Sequence, residues 1–304
     1  MNNRRSFIIG VKSTNLSLKE IKFLRKYRPW GVILFSRNIK DIKQTYNLTL
    51  SIRKIFKDKN YPILIDQEGG RVNRLKKIIS FDNLTSEFFG SKYTKNYKEF
   101  KFFYKLFIDK TSYLLKLIGA NINTVPVLDL KTRGASKVIG DRSFSGDPKI
   151  VSKIGDFCIR YFHENGIGTI IKHIPGHGLA QVDSHIYTPV INKKEKFLYR
   201  RDFFTFKNKK SFFAMTAHII FNKIDNKNTV THSKKLIKLI RNRIGFKNIL
   251  ISDDISMKSL KGTIKENTIK TFKAGCDLVL HCNGDFKEMQ IVAENTPLID
   301  KFIL

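Results

Sequence analysis

Three of the seven histidines in this chain crowd into one short stretch, KHIPGHGLAQVDSH, from Lys172 to His185. A long segment with Pro, two Gly and a terminal Asp-x-His is a loop with polar business, not core packing. The i, i+2 spacing of Asp183 and His185 puts both side chains on one side of an extended segment, or close together in a turn. The carboxylate can then hold the imidazole tautomer and raise its basicity, which makes the pair a candidate general acid/base. A second chemistry fits the same residues. His173, His177, Asp183 and His185 are the donor types of a zinc or manganese site, as in a metal-dependent hydrolase. Against it, Pro175 and Gly176 preclude the helical i, i+4 geometry of a zincin between His173 and His177, and no Cys or Glu completes a familiar ligand set.

These residues need elements to position them. Apolar runs bounded by turn residues predict eight strands, at 6–11, 31–36, 62–67, 120–130, 168–173, 212–218, 248–254 and 277–282. Helical periodicity fills most gaps, over 17–27, 42–56, 97–117, 148–164, 233–244 and 264–274, and Ser17 with Glu20 has the form of a capping box. Eight β-α alternations with near-continuous apolar strands predict a closed (β/α)8 TIM-type barrel, an α/β fold, as a single domain over residues 1–304. A doubly wound open sheet is the alternative. No internal repeat, low-complexity tract or linker breaks the chain.

In such a barrel the chemistry sits at the C-terminal strand ends. The groups there are Asp66, Gln67 and Glu68 on the third strand and Lys172 and His173 on the fifth. His218 ends the sixth, Asp253 and Asp254 the seventh, and His281 and Asn283 the eighth; Arg142 sits in a Gly-Asp-Arg-Ser-Phe loop after the fourth. Together they predict a polar pocket for a polyhydroxylated or charged substrate. Singly, each could be a structural ion pair, and Asp253 could simply cap the helix that follows.

Composition narrows the class. No run of about 18 uncharged apolar residues predicts a membrane span. The arginine pair at 4 and 5 precedes too short an apolar stretch for an export signal, so 6–11 reads as the first barrel strand. Cys158, Cys276 and Cys282 are odd in number and lie in apolar segments, which predicts free thiols and a cytoplasmic enzyme. The net charge of +31, from 57 Lys and Arg against 26 Asp and Glu, raises the possibility of polyanion binding. Lysine pairs spread along the chain, in a sequence rich in Lys, Asn, Ile and Phe, point instead to composition bias and solvated faces, with no specific nucleic-acid partner.

Five segments in order, GVILFSRNI (31–39), LIDQEGGRVNRL (64–75), IGDRSF (139–144), KHIPGHG with DSH (172–185) and ISDDISM (251–257), resemble the β-N-acetylglucosaminidases of glycoside hydrolase family 3, enzymes of bacterial peptidoglycan recycling. The resemblance implies Asp253 as nucleophile forming a covalent glycosyl-enzyme, and His185 as acid/base oriented by Asp183. It implies that Asp66, Arg74, Arg142, Lys172 and His173 bind the terminal sugar. The expected activity is removal of N-acetylglucosamine from muropeptides or other N-acetylglucosaminides, with no metal, no organic cofactor, no membrane partner and a monomeric enzyme. Ile174 replaces the family's usual aromatic residue in KHxPGHG. The short region after the eighth strand predicts a trimmed last helix and looser barrel closure.

Overall fold

The computed structural model describes residues 4–299. Its first unit is β1 (Arg5–Gly10), α1 (Leu18–Tyr27) and β2 (Pro29–Leu34). Ser17 accepts from the Glu20 amide while the Glu20 carboxylate accepts from the Ser17 amide, so the expected capping box closes. Then follow α2 (Ile42–Phe56), β3 (Ile63–Ile65), α3 (Ser86–Lys95), α4 (Tyr97–Leu117) and β4 (Ile122–Asn123). The second half runs α5 (Pro148–Glu164), β5 (Gly168–Ile174), β6 (Val190–Ile191), α6 (Glu195–Arg200), β7 (Phe213–Thr216) and β8 (Ile220–Phe221). It ends with α7 (Lys234–Leu239), β9 (Ile249–Asp254), α8 (Ile264–Ala274), β10 (Leu278–His281) and α9 (Phe286–Glu294).

Eight of the strands form a closed parallel barrel in the order β1-β10-β9-β7-β5-β4-β3-β2, while β6 and β8 pair separately. The fold is the (β/α)8 barrel, and all eight predicted strands are its staves. Its interior is filled by side chains from alternate positions, among them Ile8, Ile33, Leu64, Ile170, Met215 and Ile251, all buried. Trp30, the one tryptophan, packs against Phe213 with ring centroids 5.4 Å apart. The opposite strand faces meet the helices in a second, larger apolar layer.

Three expectations are corrected. The fourth strand is not continuous over 120–130: it spans only Ile122–Asn123, the Thr124 amide makes the last bond to the Ile65 carbonyl at 2.9 Å, and Pro126 has no N–H for the next rung. Pairing resumes when the Leu128 amide donates to the Lys172 carbonyl at 2.8 Å. The helix predicted over 233–244 is α-helical only to Leu239; its last turn widens to π geometry before Gly245 ends it in the left-handed region (φ 88°). Barrel closure is not loose. Val279, Leu280 and His281 pair with Phe7, Ile8 and Ile9, and α9, capped by Asp285, covers that seam with Phe286 against Phe23 of α1.

Candidate active site

The strand ends converge on one cavity at the C-terminal face of the barrel. Asp66, Arg74, Arg142, Lys172, His173, His185 and Asp253 all line it. Asp183 joins them through His185.

The floor is a charge cluster. Asp66, just beyond β3, accepts from Lys172 Nζ at 2.9 Å, from Arg74 Nη2 at 3.3 Å and from the Thr124 hydroxyl. Glu68 accepts from Arg142 Nε and Nη2 at 2.8 and 2.9 Å and lies 2.7 Å from Lys172 Nζ, with only 3% of its side chain exposed. Burial alone would raise both carboxyls. Lys172 and Arg74 outweigh it and hold Asp66 well below the usual carboxylate range, while Arg142 and Lys172 bring Glu68 down to about 2. Two anions beneath three cations leave a net positive, pre-paired surface. Lys172 and Arg142 can therefore meet a substrate oxygen without being bare charges in the interior. Arg142 also donates Nη1 to the Val138 carbonyl, so three of its five N–H groups are fixed by protein.

At the end of β5 the peptide bonds 172–173 and 174–175 are cis. His173 gives its Nδ1 proton to Asp129 Oδ2 at 2.7 Å, and the amides of His173 and His177 point at the same carboxylate, the latter at 2.6 Å. Asp129 thus fixes the tautomer of His173, whose Nε2 is left for the cavity. His177 turns the other way. Its Nε2 meets Ser184 Oγ at 2.9 Å, and burial lowers the ring to about 4 despite the nearby Asp129, so it is neutral at pH 7. Ser184 lies between Asp183 and His185, and this buried bond ties the loop that carries them to the end of β5.

Asp183 Oδ1 accepts from both the amide and Nδ1 of His185, each at 2.8 Å. The pair is exposed, with 63% of the His185 side chain open to solvent. Nδ1 is engaged, so Nε2 is the atom able to exchange a proton. Asp253 is the penultimate residue of β9 and accepts from the Asp254 amide at 2.8 Å. Burial pushes its carboxyl up, but His173, His218 and that amide more than offset the effect and keep it below the usual range, hence ionised. Its neighbour Asp254 is structural: it accepts from the amide and hydroxyl of Ser256 and from the Cys282 amide.

Not every polar strand end faces the cavity. His218 is fully buried between Thr231 and the Asp254 carbonyl, and His281 pairs with Glu288 of α9 at 2.8 Å. Asp129 and Ser184 were not among the expected site residues, and Glu68 was expected only as one of the strand-end groups, with no role of its own. The sequence signal for Asp129 was an acid inside the apolar run VPVLDL, and for Glu68 a second acid two residues from Asp66. Ser184 gave no signal. The four donors of the metal reading do not converge: His173 is turned to Asp129, His177 to Ser184, and Asp183 to His185. Among the described residues no group of three or more His, Cys, Asp or Glu is disposed around a common metal position.

Residues 8–300 match the glycosyl hydrolase family 3 N terminal domain. The chain belongs to glycoside hydrolase family 3. It is 34% identical over 295 residues to a beta-hexosaminidase of Actinobacillus pleuropneumoniae serotype 3, covering 94% of this chain and 83% of that one. Among solved structures it is similar to native NagZ from Neisseria gonorrhoeae, at 27% identity and TM-score 0.89, covering 99% of this chain and 88% of that one. It is also similar to the same protein in complex with N-trifluoroacetyl-D-glucosamine, at 26% identity, TM-score 0.85 and the same coverage. A family 3 chain with this barrel is a glycoside hydrolase, and the polar cavity lies at the C-terminal face of the barrel, where such barrels carry their chemistry.

Proposed function

We propose that the chain is a retaining exo-β-N-acetylglucosaminidase acting on peptidoglycan fragments, removing the nonreducing terminal N-acetylglucosamine of 1,6-anhydro-muropeptides. One juxtaposition carries the reading: an ionised aspartate, Asp253, opens onto the same cavity as an imidazole held by a carboxylate, His185 with Asp183. The likeness to a NagZ that binds N-trifluoroacetyl-D-glucosamine supports the choice of sugar.

In the first step an Asp253 oxygen attacks the anomeric carbon as the glycosidic bond breaks, and protonated His185 gives its Nε2 proton to the leaving oxygen. The product is a glycosyl ester on Asp253. In the second step neutral His185 takes a proton from water as that water attacks the anomeric carbon, and Asp253 leaves as carboxylate. Two inversions give retention. Ionised Asp183 stabilises the imidazolium. Glycosidases usually use a second carboxylic acid here, which burial must raise, whereas imidazole titrates near 6.5 and needs little tuning. In this reading Asp66, Arg74, Arg142, Lys172 and His173 hold the hydroxyls and N-acetyl group. Work in the cytoplasm as a monomer completes the reading, and three free thiols accord with a reducing compartment.

The test is the anomer released first from an aryl β-N-acetylglucosaminide, followed by NMR before mutarotation. Initial β-N-acetylglucosamine is expected, with rates indifferent to chelator. Initial α product would overturn the two-step reading, and loss of activity on chelation with recovery on adding a divalent ion would favour a metal hydrolase.

A further inference from the structure

Helix α4 is apolar on more than its inner face. Phe100, Tyr104, Phe107, Ile108, Leu114 and Leu115 pack into the barrel wall, as a surface helix requires. A second stripe points outward. Phe102, Leu106 and Tyr113 share one side of the helix with exposures of 66, 55 and 57%, and Phe103 beside them is 45% exposed. Phe88 of α3 joins Phe103 and Leu106 around an open apolar groove edged by Lys92 and Lys110. Exposed apolar patches of this kind mark interaction surfaces.

The charge around the stripe selects the partner. Residues 86–117 carry seven lysines against three acids. Each acid is already paired, Glu87 with Lys131, Glu99 with Lys92 and Asp109 with Lys105. Lys92, Lys101 and Lys110 lie about 6 Å from the rings of Phe103, Tyr97 and Tyr113, so cationic heads frame the aromatic surface. A second copy would bring the same lysines against each other in a molecule of net charge +31. An anionic bilayer surface satisfies both features, with headgroups meeting lysines and rings entering the acyl boundary.

Against the expectation of no membrane partner, we propose that the outer face of α3 and α4 docks the protein on anionic lipid membranes. Docking needs no spanning segment, and among the described residues no helix is long and apolar enough to cross a membrane. Phe81 of the groove accepts through its carbonyl from the Gly70 amide, so the docking face and the sugar cavity share the loop from Asp66 to Thr85.

The full-length chain should cosediment with vesicles of equimolar phosphatidylglycerol and phosphatidylcholine, and not with phosphatidylcholine alone, at about 0.1 M salt. Phe102→Ser with Leu106→Ser leaves the charge unchanged and should weaken vesicle binding about tenfold or more, with aryl-glycoside turnover preserved. Phe102→Trp supplies a second reading, a blue-shifted emission when the anionic vesicles are added. The proposal fails if the parent chain does not bind these vesicles, or if the double variant binds them as tightly, since charge alone would then account for it. It also fails if the Phe102→Trp emission does not move, or if the double variant instead abolishes a concentration-dependent dimer.

Discussion

At the residue scale, the site depends on polar groups whose bonds hold other residues in place. His177 is the clearest. Its bond to Ser184 Oγ is buried and anchors the loop that presents Asp183 and His185, which is otherwise exposed. On the proposed mechanism, His177→Ala is expected to lower kcat by about tenfold to a hundredfold with a smaller change in KM, because His185 would be misplaced more than the sugar. Steady-state kinetics on an aryl glycoside check this, and a variant with parental kcat would remove His177 as a positioning residue. Asp202 behaves differently. It is 1% exposed, neither carboxyl oxygen has a hydrogen-bond partner, and burial raises it to about 6. With its folded value above the unfolded one, the contribution to stability is fully present below the ordinary aspartate range and lost as pH rises through about 6. Asp202→Asn should therefore stabilise the protein at pH 8 by about 1 to 3 kcal/mol and have little effect near pH 4. Thermal melts of both proteins across this range decide it.

At the element scale, much of the architecture was written in the chain. The eight strands are the eight apolar runs, and the helices at 42–56, 97–117, 148–164 and 264–274 end where periodicity and caps said they would. What could not be read had local causes. Helix α6 has only six residues and α3 carries weak apolar periodicity, so tertiary packing rather than pattern makes them, whereas α9 does show Phe286, Met289 and Val292 at helical spacing behind its Asp285 cap. The break in the fourth strand is a Pro126 effect inside an otherwise ideal run. In the site, the strand-end rule found Asp66, Lys172, His173 and Asp253 because sequence places them there. It could not tell that His218 and His281 turn away, since that depends on which face of the staves each occupies. Local geometry also makes a prediction at Gly178, where a Cβ would lie 2.3 Å from the Leu130 carbonyl oxygen. Gly178→Ala must displace backbone and should lower activity more than Ser17→Ala, which removes only a cap worth about 1 kcal/mol. Activity and melting temperature of the two variants give the comparison, and an active Gly178→Ala would show that the turn adapts.

At the scale of the whole molecule, the barrel brings residues from both halves of the chain to one mouth. Glu68 also links that mouth to acid stability. Its folded value of about 2 lies below the ordinary glutamate value, so its contribution is present above that ordinary range and drains away as pH falls toward 2. Unfolding between pH 5 and 2 should be steeper in the parent than in Glu68→Gln, which has no charge to lose there, although Glu68→Gln is less stable at pH 7. Chemical denaturation across this range measures both effects. The central claim is that this cavity is a glycosidase built on Asp253, and it is tested most directly by turnover of an aryl β-N-acetylglucosaminide by Asp253→Ala. The account predicts a loss of about a thousandfold or more with the melting temperature little changed. Activity within tenfold of the parent would contradict it.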